Sequence, residues 1–320
     1  MLIYIVPTYN CNLDCKKCYS KKYLEDFSSY LSWTKFINII NFFGSKCNNY
    51  AFIGGEPTKW KFINESILFL HNKNKYVNIF TNGTIPLKVI PNNLMINGNN
   101  ILNHKLEDNI IRNLAFYKKT KAKIRLRFNI DEEFGKEYTH EAISLSKQFA
   151  DSVSISILYP IDNGKDYGNI IFDLATKLHS ESIPVKISRA TPFCLFNQEQ
   201  RDFLISNCKL KGKCSLPTNS LVINPDGQTI QPCVELHIKH DLSDLLKIRP
   251  EKIFAEDLNR IKSNRDFKCN NCIFFSKDEC FGGCLAYPLP DPTPLSTSFN
   301  PKLPSRSGAT STRGAKSILR

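Results

Sequence analysis

Residues 11–19 read Cys-Asn-Leu-Asp-Cys-Lys-Lys-Cys-Tyr, and they come directly after an apolar segment, Leu2–Val6, that is predicted as a strand. Three thiols at such short spacing on one loop can close around a single inorganic centre. Thiolates are soft ligands that suit iron–sulfur clusters or zinc. Structural zinc sites usually have four protein ligands, and a fourth nearby cysteine is missing here. Two interpretations therefore stay open: a cluster with one open coordination position, or a zinc knuckle with a distant fourth ligand.

Strand-like and helix-like segments alternate along the chain from residue 1 to about residue 190. The predicted strands are Leu2–Val6, Tyr50–Ile53, Tyr76–Phe80, Asn93–Ile96, Lys123–Ile130, Val153–Leu158 and Pro184–Ser188. Helices are predicted between most of them, and this alternation is typical of βα units around a parallel sheet. About six such units predict an α/β fold, a partial (βα)6 TIM-like barrel whose active-site groups lie at the carboxyl ends of the strands.

The alternation stops near the end of the predicted barrel. Two short strand-like segments flank Pro225-Asp226-Gly227 and predict a β-hairpin. Residues 242–262 are predicted to be helical, and a cysteine-rich segment, 269–284, follows. We therefore expect a barrel domain at 1–195 and a small Cys-rich α+β C-terminal domain at 196–286.

The last segment, 287–320, differs in composition from the rest of the chain. It holds six Pro, ten Ser or Thr, five Lys or Arg, one Asp and no Cys. Such a composition cannot bury a core and predicts a disordered or atypical tail. The whole chain of 320 residues has a formal net charge of +13, to which the tail contributes its five basic residues against one acidic residue. Scattered lysines account for much of the remainder, so the charge is weak support for a nucleic-acid partner.

The N-terminus and the cysteine usage indicate the cellular compartment. Residues 1–9, MLIYIVPTY, lack the basic region of a signal peptide, and polar sequence follows at once. No run approaches the roughly 20 apolar residues of a membrane span. We therefore expect a cytoplasmic protein without a membrane partner. In that setting its 12 cysteines are predicted to be metal ligands or catalytic thiols rather than disulfides.

Three motifs together resemble the radical S-adenosylmethionine (SAM) enzymes. The Cys-x3-Cys-x2-Cys loop follows the first predicted strand, Gly54-Gly55-Glu56-Pro57 follows the second, and Thr81-Asn82-Gly83 follows the third. By this resemblance a [4Fe-4S] cluster would be held by Cys11, Cys15 and Cys18, and its open iron would chelate the amine and carboxylate of SAM. An electron from the cluster would cleave SAM to a 5′-deoxyadenosyl radical that abstracts a substrate hydrogen. A zinc knuckle does not account for the other two motifs.

The same resemblance implies a SAM-binding surface. The edge that receives the methionine amino group would be formed by Gly54, Gly55, Glu56 and Pro57, since glycine lets the backbone approach closely. Polar residues at or near predicted strand ends are further candidates for SAM contacts: Asn82, Asn97, Arg125 and Asn129. The alternative for each of these four is a turn cap or a solvated side chain.

The C-terminal cysteines resemble the SPASM extension of radical SAM enzymes, which houses auxiliary iron–sulfur clusters. Their order is Cys208-x5-Cys214-x12-Gly227-x5-Cys233 and then Cys269-x2-Cys272-x7-Cys280-x3-Cys284. By this resemblance a first auxiliary [4Fe-4S] cluster would be ligated by Cys208, Cys214, Cys233 and Cys284, and a second by Cys269, Cys272 and Cys280. One or two auxiliary clusters are expected, because SPASM domains usually supply a further cysteine downstream and none occurs here.

Other assignments of these cysteines stay open at this point. A zinc ribbon would use Cys269, Cys272, Cys280 and Cys284 as one site. Two cysteines are left over, Cys47 and Cys194. Structural roles are predicted for both, although Cys194 lies near the barrel exit and could reach the active site.

The resemblance also implies a substrate class. SPASM proteins mostly modify peptides or proteins, so we expect an oxidoreductase that oxidatively modifies a peptide, in particular a ribosomal peptide precursor that acquires a crosslink or a related change. Sulfatase-maturase-like formylglycine formation is the alternative. Some such relatives carry Asp directly after the equivalent of Cys233, whereas this chain has Val234 there and Glu235 one position later. Glu235 is a candidate catalytic base, with an exposed hairpin carboxylate as the other interpretation.

Partners follow from the same resemblance. An external electron donor such as flavodoxin or ferredoxin is expected, and so is a separate leader-binding partner. A zinc-type nucleic-acid-binding module is the alternative from another functional class. It gives no reason for the Gly-Gly-Glu-Pro and Thr-Asn-Gly motifs.

Overall fold

The computed structural model of the chain describes residues 1–27, 29–102, 107–161, 166–214, 216, 220–263, 269 and 271–287. The strands are β1 (Leu2–Ile5), β2 (Asn49–Phe52), β3 (Tyr76–Thr81), β4 (Asn93–Asn97), β5 (Lys123–Ile130), β6 (Ser152–Ile157), β7 (Val185–Ile187), β8 (Ser220–Ile223), β9 (Thr229–Gln231) and β10 (His240–Asp241). The helices are α1 (Trp33–Phe43), α2 (Ile63–Asn72), α3 (Asn99–Leu102), α4 (Glu107–Lys118), α5 (Lys136–Phe149), α6 (Tyr167–Ser180), α7 (Gln198–Cys208), α8 (Pro250–Ile253), α9 (Ala255–Ser263) and α10 (Ile273–Ser276). Of the predicted disordered tail, 287–320, the structure describes Tyr287, whose ring stacks on Tyr159, and the rest lies outside the described residues.

One sheet organises the described part of the chain, with the strand order β10-β9-β8-β1-β2-β3-β4-β5-β6-β7. All neighbours from β8 through β1 to β7 are parallel, and β9 is antiparallel to both of its neighbours, β8 and β10. Helices lie between most of the parallel strands, as the βα rhythm of the sequence predicts. The fold is therefore the expected mixed α/β partial barrel. None of the described helices has the length and apolar character needed to cross a bilayer.

The strand β5 shows why the two faces of the sheet differ. Its residues alternate between apolar and polar, and successive side chains in a strand point to opposite faces. The apolar set is completely buried and comprises Ile124, Leu126, Phe128 and Ile130. The other set, Arg125, Arg127 and Asn129, is only partly buried. Since helices α5 and α6 contact β5, the apolar face packs under the helices, which leaves the polar face for the barrel interior.

The predicted β-hairpin is confirmed as β8 and β9, but it does not form a separate sheet. The register places Leu2 of β1 opposite Ser220 of β8, so the C-terminal region extends the barrel sheet at the edge of its first strand. The predicted helical region 242–262 is divided into a 3₁₀ helix, Leu242–Leu246, and the helices α8 and α9. Pro250 occupies the first turn of α8, where its missing N–H costs nothing.

Candidate active site

The loop after β1 brings its three cysteines together. Burial raises the pKa of Cys15, and the nearby charges of Cys18 and Cys11 raise it further. The sulfur of Cys11 accepts hydrogen bonds from the Leu13 backbone N–H at 3.4 Å and from the Asn82 side-chain amide at 3.8 Å. Thiolates crowded in this way repel one another unless a cation lies between them. The three sulfurs therefore suit a positively charged inorganic centre.

The two glycines of the Gly-Gly-Glu-Pro motif let this loop pack against the end of β2. Gly55 N–H donates to the Thr8 carbonyl at 3.0 Å. A Cβ atom on Gly55 would lie 2.3 Å from the Tyr9 carbonyl oxygen, and one on Gly54, whose φ is +143°, would lie 2.4 Å from the Thr8 oxygen. The close backbone approach expected at these glycines is therefore present. Its partner is the chain segment that leads into the cysteine loop.

Glu56 fastens the ends of β2 and β3 to each other. Its completely buried carboxylate accepts hydrogen bonds from Thr58 N–H at 3.0 Å, Thr58 Oγ1 at 2.7 Å, Thr81 Oγ1 at 2.8 Å and Asn82 N–H at 2.7 Å. Burial raises the pKa of Glu56 in spite of these four donors. Pro57 begins the 3₁₀ turn that follows. The motif thus positions Asn82, whose side-chain amide donates to Asn12 Oδ1 in the cysteine loop at 2.9 Å.

The remaining predicted SAM contacts occupy two levels of the barrel interior. Asn97 and Asn129 lie at or near the carboxyl ends of β4 and β5, and the Asn129 side chain reaches Asn97 Oδ1 at 3.5 Å. Arg125 lies four residues before Asn129, so it is deeper in the barrel. Its Nε donates to Ser152 Oγ at 2.9 Å. The structure therefore brings the two asparagines together at the cysteine end of the barrel and separates Arg125 from them.

Glu235 is buried, so the interpretation as an exposed hairpin carboxylate is wrong. Its side chain is 5% exposed and forms an ion pair with Arg189, with 2.5 Å between Nη2 and Oε1. The hydroxyl of Tyr287 donates to the other carboxylate oxygen at 2.6 Å. The Tyr287 ring stacks on Tyr159 with 5.6 Å between centroids. Both oxygens of Glu235 are thus held in place.

Two arginines that the sequence analysis did not single out lie in the same region. Arg127 Nη2 donates to Ser156 Oγ at 3.1 Å. Burial, and after it the charge of Arg189, lowers the pKa of Arg127 to about 10. Among the described residues, neither Arg127 Nε nor Arg189 Nη1 has a hydrogen-bond partner, although both atoms are buried. The alternation of β5 could have identified Arg127, since it shares a face with Asn129.

The first auxiliary cysteine set is only partly brought together. Burial raises the pKa of Cys233 to about 12, with further contributions from the charges of Cys284 and Cys214. Cys208 lies at the end of α7 and is completely buried. Burial alone raises its pKa to about 11, with no contribution from another thiol. Cys214, Cys233 and Cys284 therefore form a group, and the structure does not place Cys208 in it.

The other cysteines lie in two places. Cys269 and Cys272 are joined by a backbone hydrogen bond from Cys272 N–H to the Cys269 carbonyl at 3.0 Å, immediately before α10. Cys47 is fully buried and its thiol donates to the Asn49 carbonyl at 3.2 Å, which fits the structural role predicted for it. None of the 12 cysteines forms a disulfide. Nowhere in the described ranges do three or more His, Cys, Asp or Glu side chains converge to the spacing of a single metal ion.

Comparisons with known proteins support the fold. No protein-family model matches the chain, and neither does any curated protein. Among solved structures, the chain is similar to Streptococcus suis SuiB bound to the precursor peptide SuiA, with a TM-score of 0.64, 16% identity, and coverage of 92% of this chain and 76% of SuiB. It is also similar to SuiB bound to S-adenosylmethionine, with a TM-score of 0.60, 15% identity, and coverage of 92% and 77%. A third SuiB structure gives 0.59 at 16% identity, with coverage of 89% and 73%.

Proposed function

We propose that the chain is a radical SAM enzyme with a SPASM-type auxiliary region, and that it oxidatively modifies a peptide. The observation that carries the proposal is the position of the loop of Cys11, Cys15 and Cys18 against the Gly-Gly-Glu-Pro edge, where Gly55 N–H donates to the Thr8 carbonyl at 3.0 Å and the Asn82 amide donates to the Cys11 sulfur at 3.8 Å. The similarity to SuiB covers 92% of this chain. The fold supports an enzyme of this class, and the thiol loop supports the chemistry.

The residues at the cysteine end of the barrel fit the expected cofactors. A [4Fe-4S] cluster would be held by Cys11, Cys15 and Cys18 and would supply the electron for reductive cleavage of SAM. The glycines hold the backbone of residues 54–57 next to the cysteine loop, and Glu56 fixes that backbone to Asn82. Asn97 and Asn129 are placed to contact SAM from the neighbouring strands. Arg125, which lies deeper, contacts the ligand only if the ligand reaches into the barrel.

Glu235 is the proposed catalytic base, held by positioning residues. Arg189 offsets the charge of the carboxylate, and the Tyr287 hydroxyl fixes its orientation. Lys22 donates to the Glu235 backbone carbonyl at 2.7 Å, which anchors the main chain at the same point. A carboxylate held by both oxygens keeps one orientation, which is the positioning that proton transfer from a bound peptide group requires. Arg127 adds a second positive charge beside it and has an N–H group available for a ligand.

The substrate class draws support from one similar structure, in which SuiB is bound to the precursor peptide SuiA. We extend this to the present chain as a ribosomal peptide precursor. Formylglycine formation is disfavoured because Val234 stands where such relatives carry Asp. An external electron donor, a separate leader-binding partner and a cytoplasmic location belong to the same proposal, as does the division into 1–195 and 196–286.

Reductive cleavage of SAM tests the proposal. The chain is reconstituted anaerobically with iron and sulfide, then incubated with SAM and dithionite, and 5′-deoxyadenosine is measured by chromatography. We expect steady production that is abolished when Cys11, Cys15 and Cys18 are replaced together by Ala. The matched control is Cys47→Ala, which removes a thiol that takes no part in the proposed site and should retain cleavage. Full activity of the triple variant would overturn the proposal.

The peptide half of the proposal needs its own measurement. A small peptide encoded beside this chain is incubated with the reconstituted protein and SAM, and its mass is measured. A loss of two hydrogens supports oxidative crosslinking. An unchanged peptide in the presence of SAM cleavage would contradict that peptide as substrate and leave the cofactor assignment standing.

A further inference from the structure

The turn that carries Cys194, Phe193–Leu195, is packed against the C-terminal cysteine region. The ring of Phe193 meets Phe274 edge-on, with 5.3 Å between centroids. Phe274 lies in α10, the helix that begins directly after Cys272. Aromatic contacts of this kind hold two segments in a defined relative position. The residue directly before Cys194 is therefore fixed to the helix that Cys272 caps.

A second contact ties the same turn to Cys280. Gly212 and Cys280 form an isolated parallel β-bridge, and the Phe281 N–H donates to the Gly212 carbonyl at 3.0 Å. A Cβ atom on Gly212 would lie 2.8 Å from the Cβ of Cys280 and 2.9 Å from the ring of Phe193. Cys280 and Phe193 thus both lie against Gly212, and Cys280 is therefore next to the turn that carries Cys194.

Cys194 lies in the turn that these two contacts fix, and three other thiols are close enough for their charges to act on it. The residue is exposed. The charges that act on its thiol are those of Cys280, Cys269 and Cys272. Four thiols therefore lie within electrostatic range of one another, and no disulfide joins any pair of them.

We infer that Cys194 is the fourth thiolate ligand of the second auxiliary cluster, together with Cys269, Cys272 and Cys280. The inference rests on the proposed function, which assigns only the last three to that cluster. Four thiolates are the usual ligand set of a [4Fe-4S] cluster. The ligand would come from the loop that leaves the barrel, on the N-terminal side of α7.

A single metal ion and an iron–sulfur cluster require different spacings of their thiolate ligands. A tetrahedral zinc site has Zn–S bonds of about 2.3 Å and so brings its sulfurs within about 4 Å of one another. The described cysteines do not converge to the spacing of a single ion. A cube of four irons and four sulfides is larger and holds its thiolates further apart.

Iron content and electron paramagnetic resonance (EPR) test the assignment without relying on activity. The starting protein carries Ala at Cys11, Cys15 and Cys18, so any remaining iron belongs to the auxiliary region. We expect about eight irons per chain, since each complete cluster contains four. Adding Cys194→Ala should remove about four of them, or convert one EPR signal to that of a three-iron cluster. Cys47→Ala, added to the same protein, should leave both the iron content and the spectrum unchanged.

A second comparison guards against misfolding of the variant. Cys272→Ala should cause the same loss as Cys194→Ala, and combining the two should cause no further loss because both act on one cluster. Circular dichroism of Cys194→Ser and Cys194→Ala should match that of the starting protein, since the residue is exposed. Unchanged iron and an unchanged spectrum in folded Cys194→Ala would overturn the inference. A starting protein with no iron would overturn the auxiliary clusters themselves, while SAM cleavage by the unsubstituted chain would still report on the first cluster.

Discussion

Removing the guanidinium of Arg189 should destabilise the fold, because the buried carboxylate of Glu235 would lose the charge that pairs with it. In Arg189→Met, the Glu235 side chain would keep the hydrogen bond from Tyr287 but lose an ion pair that is 17% exposed on one side and 5% on the other. Breaking a buried pair by removing one partner costs about 3–5 kcal/mol. Arg127 lies close enough for Arg189 to lower its pKa. The charge of Arg127 would offset part of the uncompensated charge of Glu235. We therefore expect a loss in free energy of unfolding at the lower end of this range, about 3 kcal/mol.

The double variant Arg189→Met/Glu235→Gln separates charge from packing. It removes both charges, so it should be more stable than the single variant by about 2 kcal/mol. The assay is anaerobic urea or thermal unfolding of reconstituted protein at matched iron content. At roughly 2 °C per kcal/mol for a chain of this size, the single variant should melt about 6 °C lower.

An exposed ion pair supplies the matched control. Lys177 and Asp173 lie on α6 with 2.9 Å between Nζ and Oδ2, and their side chains are 55% and 44% exposed. Such pairs contribute below about 1 kcal/mol, so Lys177→Met should be nearly neutral. The reasoning is refuted if Arg189→Met loses no more stability than this control. It is also refuted if the double variant is no more stable than Arg189→Met.

Three further changes probe the end of the barrel near the cysteine loop. Gly55→Ala would place a Cβ 2.3 Å from the Tyr9 carbonyl oxygen; we expect a loss of about 1–3 kcal/mol and weaker SAM binding by equilibrium dialysis, and unchanged affinity would contradict this. Glu56→Gln should cost about 1–3 kcal/mol by urea unfolding, because an amide N–H replaces one acceptor oxygen. Because the pKa of Glu56 is raised in the folded state, this group stabilises the wild type most below its unfolded pKa of about 4.3. That stabilisation is lost as the pH rises through the folded pKa. The difference in free energy of unfolding between wild type and Glu56→Gln should therefore narrow toward pH 7. Trp60→Phe removes the hydrogen bond from Nε1 to the Leu31 carbonyl at 2.7 Å and should lower the free energy of unfolding by about 1–3 kcal/mol in a urea titration; an unchanged midpoint would count against it.

Elements with a strong local pattern could be predicted from the sequence to the residue. The bounds of β5, Lys123–Ile130, agree with the prediction, and helix α5, Lys136–Phe149, follows that strand as the alternation predicts. Both have one apolar face, and periodicity depends only on neighbours along the chain. Helix α7 was missed, although Asn197 and Gln200 form a capping box at its start. The apolar residues of α7 do not form one continuous stripe, so periodicity does not indicate this helix.

Some parts of the candidate site could likewise be predicted from the sequence, and others could not. The cysteine loop and the Gly-Gly-Glu-Pro segment are contiguous in sequence, so their placement after β1 and β2 could be predicted. The group around Glu235 could not, because Arg189 and Tyr287 lie 46 and 52 positions away from it. These residues meet only when the hairpin has paired with β1. Composition and spacing carry no information about that pairing.

The pairing of β8 with β1 also determines how late in synthesis the sheet can be completed. The edge of β1 that β8 covers stays open until residue 223 has been made, which at about 5–20 residues per second takes roughly 10–45 s. An open strand edge can pair with another chain, and contacts between distant residues form slowly. The protein therefore has a long interval of aggregation risk during synthesis. A chain released before β8 is made would expose that edge permanently, so solubility in the cell should change abruptly between products that end before residue 220 and products that end after residue 223.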